Sequence, residues 1–436
     1  MTYKVGILGL GTVGTGTAQI LSDPSGRHPL LTELEIAQVG VRSLDKPRAV
    51  DVPHSLFTTD LDAIVSHPDL DIIVELIGGV EPARSLILKA IAHGKHIVTA
   101  NKAVISRHGD EIFDAANEKG VYVMLEAAVG GGIPVIQPLK QALGVNRIKR
   151  VTGIVNGTTN YILTRMKTEG ADFADVLADA QRLGYAEADP TADVDGLDAA
   201  DKIAILASLA FGGRIRLEDV HCEGIRHISS TEIDYAEKLG FTIKLLAIAQ
   251  EDIPENSSDG TPQKLSLKVH PTLLPKSHPL ASVDGVFNAI LVEGDPLGQV
   301  MFFGPGAGAG ATASAVVSDI LNIAAILKTE TEPIPHPLLS CTHQHFCAIA
   351  PMEDSVTRFY VRVKTQDSSG VIGQLGTCFG NHDVSLESIV QIGLSDKLAE
   401  IVLVTHHVRE GDFRAALDSI SKLSAVAEIS SVIRVW

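Results

Sequence analysis

The first fourteen residues constrain the fold more than any other part of the chain. Lys4-Val5-Gly6-Ile7-Leu8 is a short apolar strand, Gly9-Leu10-Gly11-Thr12-Val13-Gly14 follows at once, and Thr15 to Leu21 reads as helix. Strand, GxGxxG and helix in that order are the context in which this glycine spacing carries meaning. Gly9 permits a tight turn, Gly11 lets backbone approach a pyrophosphate, and Gly14 lets helix pack on strand. The phosphates then sit at a helix N-terminus, where free N–H groups and the helix dipole favour anions, with Thr12 and Val13 in the turn. A glycine-rich turn with no ligand is the plainer alternative.

The alternation continues. Glu35 to Val41 reads as a second strand, Asp71 to Ile77 and His96 to Thr99 as further strands, Pro82 to His93 and Lys102 to Lys119 as helices, and Val121 to Glu126 as a strand. Strands alternating with helices predict a doubly wound α/β domain with a parallel sheet. A NAD-selective site carries Asp or Glu at the end of the second strand for the ribose 2′-hydroxyl. Here the residues are Gly40-Val41-Arg42-Ser43, with Lys46 and Arg48 close by. A cation there suits the 2′-phosphate of NADP, with NAD as a second possibility; a solvated surface arginine is the bland alternative. Ligands in such sheets gather at strand carboxyl ends. Thr99-Ala100-Asn101-Lys102 lies at one, so Thr99 and Lys102 are candidates for the cofactor crevice, against a lysine that merely faces solvent.

The chain has 436 residues, enough for two or three domains, and a formal net charge of −17. That charge, with no basic stripe, argues against nucleic acid and anionic membranes as partners. No apolar run long enough for a membrane span or signal peptide is evident, and Cys222, Cys341, Cys347 and Cys378 are scattered. A cytoplasmic location with free thiols is expected. Cys341, His343, His345 and Cys347 are close in sequence but fit no familiar zinc spacing.

Chemistry concentrates between Gly184 and Lys202, where Glu187, Asp189, Asp193, Asp195, Asp198 and Asp201 place six carboxylates and Lys202 one lysine in nineteen residues. Asp189-Pro190 and Asp195-Gly196 mark loop. A helix from Gly196 to Leu209 then puts Asp198 and Lys202 one turn apart on one face. The pair reads either as a surface ion pair or as part of a site for a cationic substrate with a proton donor. Calcium is excluded, because Lys202 would occupy the twelfth position of an EF-hand loop.

Glu126 precedes Ala127-Ala128-Val129-Gly130-Gly131-Gly132-Ile133-Pro134, a loop that could be a hinge or could hold a hard cation through oxygen ligands. Asn156-Gly157-Thr158-Thr159-Asn160, between a strand at 148–155 and a helix at 161–168, offers donors for a carboxylate or simple helix caps. Gly304 to Gly310 leads into a helix at 312–326, and 253–262 reads as an exposed loop. From Arg358 a strand, a helix, two strands, a helix and a final strand make a βαββαβ module of about eighty residues.

Together these motifs resemble homoserine dehydrogenase over essentially the whole chain, most specifically Ala180-x3-Gly184 through Asp189-Pro190, Asp193, Gly196 and Asp198 to Lys202. The C-terminal module resembles the ACT domain, an amino-acid-sensing unit. The resemblance implies a Rossmann-type domain at 1–130 joined by a returning helix at 306–330. It further implies an α+β catalytic and dimerisation domain at 131–305, a linker at 331–355 and the ACT domain at 356–436. The implied reaction is NAD(P)H-dependent reduction of L-aspartate 4-semialdehyde to L-homoserine. By residue, it makes Lys202 the general acid, Lys102 a second active-site lysine, and Glu187 and Asp198 ligands of the substrate ammonium. Gly184 and Gly306 lie near the nicotinamide, and Glu126 with the carbonyls of Val129, Gly131 and Ile133 forms a sodium site. Feedback by threonine is expected through the loop of Asp367, Gly370 and Val371, in a homodimer or homotetramer; a module that only dimerises is the alternative. Two other readings compete. Aspartate-semialdehyde dehydrogenase needs a nucleophilic cysteine, and the first two hundred residues have none. A non-catalytic sensor built from the same two domains leaves the Glu187, Asp198 and Lys202 set without a purpose.

Overall fold

The computed structural model describes residues 2–252, 264–329, 336–395 and 398–436. The loop expected at 253–262 and residues 331–335 of the expected linker lie outside them. The chain forms two compact units, the first of residues 1–157, 201–219 and 286–347, the second of 158–200, 220–285 and 348–436.

In the first unit, β1 (Tyr3–Leu8), β2 (Leu34–Gly40), β3 (Phe57–Thr58), β4 (Ile72–Glu75), β5 (His96–Thr99) and β6 (Val123–Met124) form a sheet in the order β3-β2-β1-β4-β5-β6. Every neighbouring pair is parallel. Parallel strands are covered on both faces, which is why β1 and β4 read as continuous apolar runs rather than alternating ones. Val5, Ile7, Ile72, Val74 and Val98 share a core with Val316, Ile320 and Ile323 from the Ala309–Thr329 helix. That helix is longer than the 312–326 expected, and its composition and 21-residue length would suit a membrane span. Its apolar side is instead spent on this core, and Asp319 lies fully buried within it. Three further strands of the unit, Gly298–Pro305, Phe287–Asp295 and Arg147–Ile154, pair antiparallel in that order.

The second unit's sheet runs Phe241–Asp252, Lys264–Pro275, Val426–Val435, Val356–Gln366, Leu398–Thr405 and Leu386–Ser395. The last four strands, with the Val371–Gly380 and Glu410–Ser421 helices, are the expected βαββαβ module. Phe359 and Phe413 stack at 3.7 Å between ring centroids in its core. The module is not merely tethered: Thr272 and Leu273 pair in parallel with Arg434 and Val435. Arg362, buried, is bonded through Nε to Glu232 Oε1 at 2.8 Å and through Nη1 to Glu400 Oε1 at 2.9 Å. Arg434, also buried, donates to Glu410 at 2.9 Å and to both oxygens of Glu223.

Candidate functional site

The Thr12–Ser22 helix begins three residues earlier than the sequence pattern suggests, with Gly11 as its N-cap, so Thr12 and Val13 are its first two residues. Gly9 has φ 100°, and its N–H donates to Gly40 O at 3.0 Å, tying the loop to the end of β2. A Cβ at Gly9 would stand 2.8 Å from Leu76 O, and one at Gly14 only 2.1 Å from Gly9 O. A Cβ at Gly11 would meet nothing within 4 Å. Gly9 and Gly14 are therefore required by packing, while Gly11 leaves its backbone open to a ligand. The loop lines a cleft of about 1000 Å3 that also takes in Leu76 and Ile77 after β4 and Arg42, Ser43 and Lys46 after β2. This is the switch point between β1 and β4, where such sheets bind ligands. Arg42 is exposed at the rim. Arg48 lines the same cleft, donating to Lys46 O at 2.8 Å and lying over the Phe57 ring at 4.9 Å.

At the end of β5, a buried network fixes the segment that leads to Lys102. Thr99 Oγ1 donates to Glu75 Oε2 at 2.7 Å and accepts from Asn101 N at 3.0 Å. Asn101 caps the Lys102–Lys119 helix and donates to Gly79 O at 2.7 Å. Glu75 Oε1 accepts from Ile77 N at 2.8 Å. Burial holds the Glu75 carboxyl above the usual carboxylate range, although its hydrogen bonds pull the other way. Sequence reasoning passed over Glu75; the signal was a lone carboxylate ending an apolar parallel strand. The Thr99 hydroxyl is thus engaged within this buried network.

Asp198 and Lys202 stand as expected on one helix, Leu197–Phe211. Lys202 Nζ, part-buried, donates to Val155 O at 2.6 Å. Asp198 is buried, so this is no exposed surface pair. In the second unit, Glu187 is exposed on its loop, and Gly184, at φ 78°, turns the chain out of the Phe173–Arg182 helix. Asp201, unassigned in the sequence, is buried and accepts from Ser106 Oγ at 2.7 Å and Arg107 Nη1 at 2.8 Å.

The triglycine loop packs tightly: a Cβ on Gly131 would lie 2.4 Å from Gly306 O. Gly306 is equally confined, 2.0 Å from Asn288 by the same measure. Both Glu126 oxygens are occupied by backbone donors, Oε1 by Val135 N at 2.6 Å and Ile136 N at 2.8 Å, Oε2 by Gln137 N at 2.8 Å. Glu126 N donates to Asp319 Oδ2 at 2.7 Å. Asp319 is pushed up to about 8, by burial first and the Glu126 charge second, and its Oδ1 has no partner among the described residues. Among those residues no backbone N–H donates to the carbonyls of Val129, Gly131 or Ile133, all buried. A carboxylate offers about four lone-pair positions, of which three are used, so the donor set fits a hard cation with oxygen ligands.

The Asn156–Asn160 cluster serves packing more than ligand capture. The helix starts at Gly157, inside the cluster, so Thr158 to Asn160 are already helical. Thr158 Oγ1 donates to Tyr185 O at 2.6 Å, and Asn160 bridges Val283 O and the buried Lys244 ammonium. In the C-terminal module, Asp367 is exposed, Gly370 caps the Val371–Gly380 helix at φ 92°, and the Val371 side chain belongs to the core.

Three family models match the chain: "Homoserine dehydrogenase, NAD binding domain" at residues 9–126, "Homoserine dehydrogenase" at 134–321 and "ACT domain" at 359–425. With the glycine cleft they define the class, a nicotinamide-dinucleotide-dependent oxidoreductase that carries an ACT domain. A homoserine dehydrogenase of Synechocystis sp. is 67% identical over 436 residues, 100% of both chains. The crystal structure of a homoserine dehydrogenase from Thiobacillus denitrificans superposes with a TM-score of 0.90 at 41% identity, covering 100% of this chain and 98% of that one. A hyperthermophilic archaeal homoserine dehydrogenase in complex with NADPH matches 76% of this chain and 99% of its own, at 29% identity and a TM-score of 0.61. The chain belongs to the homoserine dehydrogenase family.

Proposed function

We propose that this chain catalyses the reversible, NADP(H)-dependent reduction of L-aspartate 4-semialdehyde to L-homoserine. The observation that carries the reading is the buried Asp198 one helical turn from Lys202, at the head of a helix that follows a carboxylate-rich loop. Bound nicotinamide supplies the hydride. As it adds to the aldehyde carbon, the carbonyl electron pair moves onto oxygen, which takes a proton from the Lys202 ammonium and leaves a neutral amine. A cation at that oxygen stabilises the developing charge as well as donating. Lys102 lines the same crevice, Glu187 and Asp198 receive the substrate ammonium, and Gly184 and Gly306 border the nicotinamide.

Arg42 and the absence of an acid at the end of β2 favour NADP, with NAD as a second cofactor. Glu126, Val129, Gly131 and Ile133 hold sodium, whose charge offsets two buried carboxyl groups. The functional parts follow the limits given above, 1–130 with 306–330, 131–305, 331–355 and 356–436. The C-terminal module senses threonine through Asp367, Gly370 and Val371, and the enzyme works in the cytoplasm as a homodimer or homotetramer.

The deciding test is homoserine-dependent reduction of NADP, followed spectrophotometrically. Turnover supports the enzyme; binding of NADP without turnover favours a non-catalytic sensor. Lys202→Ala should lower kcat by about a thousandfold while NADP still binds, and a near-normal kcat removes Lys202 from the role. Threonine that changes neither rate nor melting temperature leaves the module a dimerisation device.

A further inference from the structure

The two lysines of the proposed site sit at the heads of two helices, Lys102–Lys119 and Leu197–Phe211. What holds those helices together is unusual. Asp201, next to Lys202 in sequence, accepts from Ser106 Oγ at 2.7 Å and Arg107 Nη1 at 2.8 Å. Ser106 lies one turn beyond Lys102 on its helix. Beyond this clamp the helices do not close on each other. Ile105 and Phe113 from one, and Ile205 and Leu209 from the other, line a cavity of about 390 Å3. Packed cores transmit position through contact, and a void removes partner atoms on one side. Across this gap the Asp201 bonds, and not contact among Ile105, Phe113, Ile205 and Leu209, link the two lysine-bearing turns directly.

We infer that Asp201 is a positioning residue for Lys202, acting through its bonds to Ser106 and Arg107 on the Lys102 helix. The carboxylate is 6% exposed, with a neutral and a charged donor from consecutive residues. A charge-assisted bond of this kind is about twice as strong as a neutral one, and it fixes direction as well as distance. Loss of the carboxylate removes this link and lets the Lys202 turn shift toward the adjoining cavity. The lysine then misses the carbonyl oxygen while the glycine cleft, on other elements, is untouched.

The inference rests on the proposed role of Lys202, and the test separates the two. Asp201→Ala, Asp201→Asn, Lys202→Ala and the double variant Asp201→Ala/Lys202→Ala are assayed in the full-length protein, well below their melting temperatures. Asp201→Ala should lower kcat by about ten- to a hundredfold, the cost of misplacement near an ångström, with the KM for NADP unchanged. Asp201→Asn, which still accepts from Ser106, should recover part of that loss. In the Lys202→Ala background, Asp201→Ala should have no further effect on residual kcat, because the group it positions is gone. Equal losses in both backgrounds, or a kcat of Asp201→Ala that matches the parent protein, overturn the inference. A Lys202→Ala variant with near-normal kcat overturns the reading beneath it instead.

Discussion

Arginine serves opposite ends in the two units. Arg42 in the first stands exposed on the rim of the glycine cleft. Arg362 and Arg434 in the second are buried and bonded to Glu232, Glu400, Glu223 and Glu410. The first guanidinium is available to a phosphate and contributes little to the fold. The other two are consumed by the fold and unavailable to any ligand. A buried ion pair adds little net stability, because desolvation offsets attraction, yet removing one partner strands a charge. The difference teaches that an arginine of this chain is open to a ligand only where the fold has not already used it.

That contrast is most easily broken at Arg362. Arg362→Ala should destabilise the second unit by about 3–5 kcal/mol, leaving Glu232 and Glu400 uncompensated. Urea unfolding measures it, and a loss below about 1 kcal/mol would mean that water reaches the pair. Arg42→Ala should behave in the reverse way. Its KM for NADP should rise roughly tenfold, equal to about 1.4 kcal/mol, with the KM for NAD and the melting temperature unmoved. An equal rise for both cofactors would deny Arg42 the 2′-phosphate.

The smallest effect concerns His96, lowered by burial to about 4 and stacked on Tyr122 at 5.5 Å. The unfolded chain takes up this proton near 6.5, before the folded one does. Stability from the neutral ring is therefore complete above about 6.5 and is lost as pH falls toward 4. His96→Gln should flatten that part of the melting-temperature profile. A profile parallel to that of the parent protein would show that His96 titrates as it does in the unfolded chain.

The glycine cleft was legible because its residues answer to local geometry. Gly9 and Gly14 are needed where a Cβ would strike backbone, and a one-turn spacing was enough to bring Asp198 and Lys202 onto one helix. What stayed hidden depends on partners distant in sequence. Glu232 and Arg362 are 130 residues apart, and Asn160 and Lys244 are 84. No periodicity announces such a meeting. Thr158 and Asn160 looked like open donors because Tyr185 and Val283, their actual acceptors, could not be placed. Asp201 was visible as one carboxylate among six, but its meaning lay in Ser106, on another helix. Asp319 could have been flagged as a lone carboxylate in an apolar helix.

The Ala309–Thr329 helix has a consequence for how the protein is made. It packs on the Thr12–Ser22 helix so closely that a Cβ on Gly16 would lie 2.8 Å from Ala309 O. The Thr12–Ser22 helix thus waits, once synthesised, for a segment nearly three hundred residues behind it. Until that segment emerges, the core around β1 lacks Val316, Ile320 and Ile323, and the nascent chain presents that apolar surface to whatever chaperone or neighbour it meets. A nonsense codon before Ala309 would leave the entire glycine motif in place and still yield no closed nucleotide domain. Completion of the glycine cleft doubles as a check that translation has run past the Leu197–Phe211 helix.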